Sequence, residues 1–185
     1  LASEDLMRMR DDLHAYVEDD GVLLAICGGF QILGHEWLLG EEVVKGLGLV
    51  DMTTERAPGG SGNRLIGNIA LRSPLADQAV VGYENHAGRT HLGTGVEAFG
   101  DVASSTGHGN NDSDKRDGVR YKNVVGTYLH GPLLPKNPQV ADALLIRALE
   151  RRARRAGVPA PELAPLDDAV ENAANEYVRN RLNAG

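Results

Sequence analysis

Cys27, the one cysteine of the chain, follows the short apolar run Val22-Leu23-Leu24-Ala25-Ile26 and precedes Gly28-Gly29. Such a run predicts a strand buried on both faces. Phe30, Ile32, Leu33, Trp37 and Leu38 have helical spacing, so a helix is predicted over 30–39. Strand, sharp glycine turn and helix together lift one side chain into a cleft. A helix N-terminus carries about half a positive charge, which favours the nucleophilic thiolate. Gly28 and Gly29 place no side chain in a substrate's way. A backbone N–H at this turn can hold an oxyanion, a contribution of about 3 kcal/mol. The same pattern also suits a small buried apolar residue at a strand end, so both readings stay open at this point.

A thiol nucleophile needs a base, and six histidines are available. His14 and His35 fall on predicted helices, and His35 points away from the turn. His108 lies in a polar loop, and His91 has no distinguishing setting. His86 and His130 each follow a predicted strand directly, at the carboxyl ends where open α/β sheets carry their chemistry. His130 is the better candidate, because Val124-Val125-Gly126-Thr127-Tyr128-Leu129 is a clean apolar run suited to lie beside the Cys27 strand.

The elements that must hold these residues are legible in outline. A helix is predicted over 2–18. Strands are predicted over 65–71, 80–84 and 124–129, with a polar, Gly-rich stretch over 52–63 and a polar turn over 85–90. Residues 106–118 carry almost no apolar weight and read as a surface loop. An amphipathic helix over 139–156 ends in Arg151, Arg152, Arg154 and Arg155, as the helix dipole prefers. Pro159, Pro161 and Pro165 mark a linker before a final amphipathic helix over 167–182.

The 185 residues suffice for one domain with its own core. Apolar residues make up 42% and charged residues 24%, a globular balance. A net charge of −7 argues against nucleic-acid binding, which wants a basic face. No apolar run approaches the roughly 20 residues of a membrane helix. With one cysteine there is no intrachain disulfide, and a reducing cytosol is the expected compartment. No metal site is expected.

Three ordered motifs resemble a known family. Leu24-Ala25-Ile26-Cys27-Gly28-Gly29-Phe30-Gln31-Ile32-Leu33-Gly34 resembles the nucleophile turn of the class I (triad-type) glutamine amidotransferases. Gly82-Tyr83-Glu84-Asn85-His86-Ala87-Gly88-Arg89-Thr90 and Gly126-Thr127-Tyr128-Leu129-His130-Gly131 resemble the cobyric acid synthase-like group within it. Gly109-Asn110-Asn111 and the stretch from His130 to Pro138 are most similar to the glutaminase subunits of lipid II isoglutaminyl synthases. The resemblance covers about residues 1–150 and implies an α/β fold, a three-layer sandwich with a mostly parallel, flavodoxin-like sheet. It implies an amidotransferase domain over 1–158, followed by a Pro-rich linker and C-terminal helix over 159–185.

It also implies a reaction. Cys27 attacks the side-chain amide carbon of glutamine, His130 moves the proton, the Gly28 N–H holds the oxyanion, and a thioester forms and hydrolyses. Arg64, in Asn63-Arg64-Leu65-Ile66-Gly67, matches an arginine that clamps the substrate's charged end. Bidentate pairing to a carboxylate is the physical reason for arginine there. The ammonia goes to a Mur-ligase-like synthetase subunit in a heterodimer, which amidates the D-glutamate of lipid II for peptidoglycan. ATP and magnesium are expected on that partner, since the chain has no phosphate-binding glycine motif. Neither nucleic acid nor membrane insertion is expected.

The sequence departs from the family in two places. Many triad enzymes carry His-x-Glu, whereas Pro132 stands at that position here. A third carboxylate is then expected from elsewhere in the chain or from the partner. In the family, several tens of residues precede the opening helix and supply early strands and a second oxyanion N–H. Their absence from this sequence predicts a bare sheet edge. A glutaminase domain for corrinoid amidation, and a non-catalytic module of the same fold, are the rival readings.

Overall fold

A computed structural model describes residues 2–57, 59–60 and 62–184, without the side chains of 2 and 3. The opening helix is broken at Met9 into α1 (Ala2–Arg8) and α2 (Arg10–Glu18). The apolar run forms β1 (Leu23–Ile26), and Cys27 leads into α3 (Gly28–Gln31), a single turn. The helix expected over 30–39 stops there. Trp37 and Leu38 belong instead to a hairpin, β2 (Glu36–Leu39) and β3 (Glu42–Lys45), joined by Gly40-Glu41 with Gly40 at φ 84°. Gly34 explains the stop, since a Cβ there would lie 2.5 Å from the Met52 carbonyl oxygen.

The polar stretch over 52–63 begins as a strand, β4 (Met52–Arg56). β5 (Leu65–Arg72) and β6 (Val80–His86) form an antiparallel pair. The turn expected over 85–90 is instead a one-residue break at Ala87 before β7 (Gly88–Leu92). β8 (Gly100–Val102), β9 (Arg116–Asp117), β10 (Val119–Tyr121) and β11 (Val124–Thr127) follow. α4 (Leu133–Lys136), α5 (Pro138–Ala156) and α6 (Ala169–Leu182) complete the chain.

The strands make three sheets, ordered β1-β11-β10, β3-β2-β4-β7 and β6-β5-β8-β9. The α/β class stands. Parallel pairing, expected for most of the sheet, is confined among the described residues to β1–β11 and β2–β4. The cause is connection length: two residues between β2 and β3, or between β10 and β11, cannot make the crossover that parallel neighbours require. β1 has one strand neighbour among the described residues.

The parallel pair β1–β11 is the frame of the site, with Ile26 opposite Thr127. Phe30 packs beneath it with Val124 and Tyr128, all buried, its ring edge-on to Tyr128 at 5.0 Å. Gly126 is where this packing is tightest, since a Cβ there would lie 2.4 Å from the Phe30 ring. Gly126→Ala is expected to cost about 1–3 kcal/mol of stability through overpacking, read as a lower urea midpoint with an unchanged slope. On the other face of β11, Val125 and Leu129 join Ile69, Leu71, Val80, Val140 and Leu144 in a second cluster.

The C-terminal helix packs on the body. Asn175 is fully buried and donates to the carbonyls of Ala79 and Lys136, and Leu182 and Ala184 bury against Ala70 and Val81.

Candidate active site

Cys27 continues the β1–β11 ladder, its N–H donating to the Thr127 carbonyl at 2.9 Å. It then turns sharply, with φ 52° and ψ −111°, while its carbonyl accepts from Gln31 N–H and starts α3. A non-glycine residue with positive φ is uncommon and is stored strain. Burial of the half-exposed side chain raises the thiol pKa, opposed by the Gly28 N–H and by the charge of Arg64. The net shift is upward, contrary to the lowering expected from a helix end. The reason is burial, which outweighs the Gly28 N–H and the Arg64 charge. The thiol therefore needs a base.

His130 lies three residues beyond Thr127, at the same carboxyl end of the paired strands as Cys27. It forms a two-way backbone bridge with Tyr83, His130 N–H to Tyr83 O at 2.8 Å and Tyr83 N–H to His130 O at 3.2 Å. Its ring Nδ1 lies 3.1 Å from the same Tyr83 carbonyl. A carbonyl only accepts, so Nδ1 carries the hydrogen and a neutral ring keeps the lone pair on Nε2. The Tyr83 carbonyl thus does for ring orientation what the Glu of His-x-Glu does elsewhere. Pro132, at that Glu position, caps α4.

Arg64 stands just before β5, on the surface, yet its charge reaches the Cys27 sulfur. Its Nε donates to Asn85 Oδ1 at 2.6 Å and its Nη2 to the Asn85 carbonyl at 2.7 Å. The four residues singled out in the sequence thus fall into three groups. Cys27 and Gly28 share one turn, His130 ends the neighbouring strand, and Arg64 approaches from the hairpin over 65–86. The other histidines are occupied: His14 with the Leu47 carbonyl, His35 with Asp51 and His91 with Glu55.

A buried polar layer lies behind the turn, and sequence reading missed most of it. The Tyr128 hydroxyl is 2.7 Å from Thr90 Oγ1 and accepts from Gln31 Nε2 at 3.1 Å. Burial holds the Tyr128 phenol well above its ordinary pKa. The His86 ring stacks flat on Tyr128 at 3.5 Å and approaches the Gly88 carbonyl through Nδ1 at 2.8 Å. Glu84, fully buried, accepts from the backbone N–H groups of His108 and Gly109. Burial pushes its pKa up, but the His86 ring nitrogen 3.8 Å away and the hydrogen bonds from Gly109 and His108 win, leaving it below the ordinary value. Asp117, also fully buried, accepts from the Thr127 hydroxyl. Burial pushes its carboxyl up to about 7 against that hydroxyl, and the Glu84 charge adds to the rise. The segment expected as surface loop over 106–118 therefore contains buried Asn110, Asn111 and Asp117. An apolar cavity of about 430 Å³ adjoins the turn, touching Gly28, Gly29, Gln31 and Trp37. Cys27, His130 and Arg64 do not line it, while Lys45 adds one charged group to its mostly apolar wall.

Residues 1–138 match the CobB/CobQ-like glutamine amidotransferase domain. The chain belongs to this family. Among curated amidotransferase relatives, it is 40% identical over 185 residues to subunit GatD of the glutamine-hydrolysing lipid II isoglutaminyl synthase of Staphylococcus aureus. That alignment covers 99% of this chain and 70% of the relative. The GatD subunit of Streptococcus pneumoniae is 37% identical over 153 residues, covering 82% of this chain and 57% of that protein. Cobyric acid synthase of Sphingopyxis alaskensis is 37% identical over 142 residues, covering 74% and 26%. A crystal structure of a glutamine amidotransferase from Thermotoga maritima superposes with a TM-score of 0.45 at 12% identity, over 98% of this chain and 66% of that one. No helix among the described residues is long and apolar enough to cross a membrane.

Proposed function

We propose that this chain is the glutaminase subunit of a lipid II isoglutaminyl synthase. The observation that carries the chemistry is the pairing of β1 and β11, which sets Cys27 and His130 at adjacent strand ends, with the His130 lone pair on Nε2. His130 Nε2 takes the Cys27 thiol proton as Sγ bonds to the side-chain amide carbon of glutamine. The Gly28 N–H stabilises the oxyanion. As the carbon–nitrogen bond breaks, the imidazolium returns its proton to the leaving nitrogen and ammonia departs. Water, deprotonated by the same Nε2, then cleaves the thioester to glutamate and restores the thiol. Arg64 binds the α-carboxylate of glutamine.

The acceptor assignment rests on the GatD likeness, which runs over 99% of this chain and 70% of the relative. On this reading the protein works in the cytoplasm in a heterodimer. A Mur-ligase-like partner holds ATP and magnesium and uses the ammonia to amidate the D-glutamate of lipid II. The domain occupies 1–158, with α6 as a C-terminal addition.

The test is ammonia release from glutamine by the chain alone and mixed with a Mur-ligase-like synthetase subunit. Release that disappears in Cys27→Ala, with D-isoglutamine formed in the mixture, is the expected result. Release without lipid II amidation shifts the acceptor to corrinoids. Glutamine binding without release, in both preparations, leaves a non-catalytic module.

A further inference from the structure

The outward face of β6 carries Tyr83 and Asn85, while Glu84 and His86 between and beyond them point into the interior. One strand thus touches both halves of the site. The Tyr83 carbonyl fixes the His130 ring, and two residues on, roughly 7 Å along an extended strand, Asn85 grips Arg64. The grip uses one edge of the guanidinium, with Nε giving its hydrogen to the side-chain oxygen and Nη2 to the backbone carbonyl of the same residue. An arginine has five N–H donors in a planar fork. With the Nε–Nη2 edge taken, the end bearing Nη1 and the second Nη2 hydrogen remains for a bidentate carboxylate.

We infer that Asn85 is a positioning residue that holds Arg64 with its free edge toward the α-carboxylate of the amide substrate. Arg64 is a long, exposed side chain with many rotamers. Held from one edge, it loses little further freedom when substrate binds. Asn supplies a neutral acceptor. It leaves the full guanidinium charge to the substrate and to the Cys27 sulfur, where an acidic residue would cancel it. Asn85 touches neither the amide nor the thiol, so its loss weakens substrate capture and spares the chemical step. This inference rests on the glutaminase reading and refines the binding half of it.

The test uses a diazoketone analogue of glutamine, which alkylates a cysteine thiolate with loss of nitrogen, followed by intact mass on the full chain. Asn85→Ala is expected to raise the half-saturating concentration roughly 10- to 100-fold, as for losing a hydrogen bond to a charged group. Its plateau rate stays within about 3-fold of the parent. The α-methyl ester of the same probe, lacking the carboxylate, labels parent and variant alike. Arg64→Ala shows the same pattern, and adding Asn85→Ala to it changes nothing further. Asn85→Thr, which suits a strand and keeps a shorter-reaching oxygen, gives an intermediate shift and serves if the alanine variant does not fold. A shift in Arg64→Ala without one in either Asn85 variant overturns the inference and leaves the Arg64 clamp standing. No shift in Arg64→Ala overturns both. Equal slowing of both probes marks Asn85 as merely structural and overturns it too. No labelling of the parent at Cys27 removes the glutaminase reading and this inference with it.

Discussion

His130→Ala is expected to lower kcat for ammonia release from glutamine by about 10³- to 10⁴-fold, the upper range for loss of a positioned acid–base group. The effect is large because Cys27 starts from a disadvantage. Burial lifts its thiol, and the Gly28 N–H and the Arg64 charge offset only part of the rise. In the proposed mechanism, thiolate formation and protonation of the departing nitrogen therefore fall on the same imidazole. The half-saturating glutamine concentration stays close to the parent value, because Arg64 and Asn85 are untouched. His130 is half-buried and its ring makes one hydrogen bond, to a backbone carbonyl, so the thermal midpoint moves little. Steady-state kinetics with a glutamate readout checks this directly. A variant retaining a tenth of the parent kcat would show that another group serves as the base.

Asp117→Asn is expected to change how stability depends on pH. The carboxyl sits near 3.8 when free and is pushed up to about 7 in the folded protein by burial. Between those values the folded state keeps a proton that the unfolded state has released. Folding then binds protons, and stability falls as pH rises from about 4 to about 7, then levels off. A shift of this size corresponds to a loss on the order of 4 kcal/mol across the window. Asparagine keeps a side-chain oxygen for the Thr127 hydroxyl and has no proton to lose, so the decline assigned to this site vanishes. Urea unfolding at half-unit steps from pH 4 to 8 reads the slope in parent and variant. Parallel curves would place the titration elsewhere. Thr127 pairs with Ile26, one residue before the nucleophile. The proton on Asp117 therefore sits one strand behind the site rather than in it.

Sequence reading placed the elements around Cys27 wherever local order was enough. The run Val22–Ile26 ends at Cys-Gly-Gly, and β1 ends there too, because the apolar run and the turn residues agree. It failed where a period fitted two structures. Phe30, Leu33, Trp37 and Leu38 suit a helix, but Gly34 and Gly40 divide that segment into one helical turn and a hairpin. Asp117 could not be recognised as buried, because Glu84, Gly100 and Thr127 reach it from three separate strands. The Asn85–Arg64 contact depends on the register of β5 with β6, which sets Ile66 opposite Asn85. The motif singled out Arg64 without showing that Asn85 holds it.

The conformation of Cys27 has an evolutionary corollary. At φ 52° the backbone asks for glycine, while the proposed reaction asks for sulfur. Selection for stability and selection for turnover therefore pull this one codon in opposite directions. A lineage that stopped needing ammonia would gain by giving up the thiol, since glycine would relax the turn. Under the proposed mechanism, a cysteine rather than a glycine at this turn carries a standing thermodynamic cost for the sake of its sulfur.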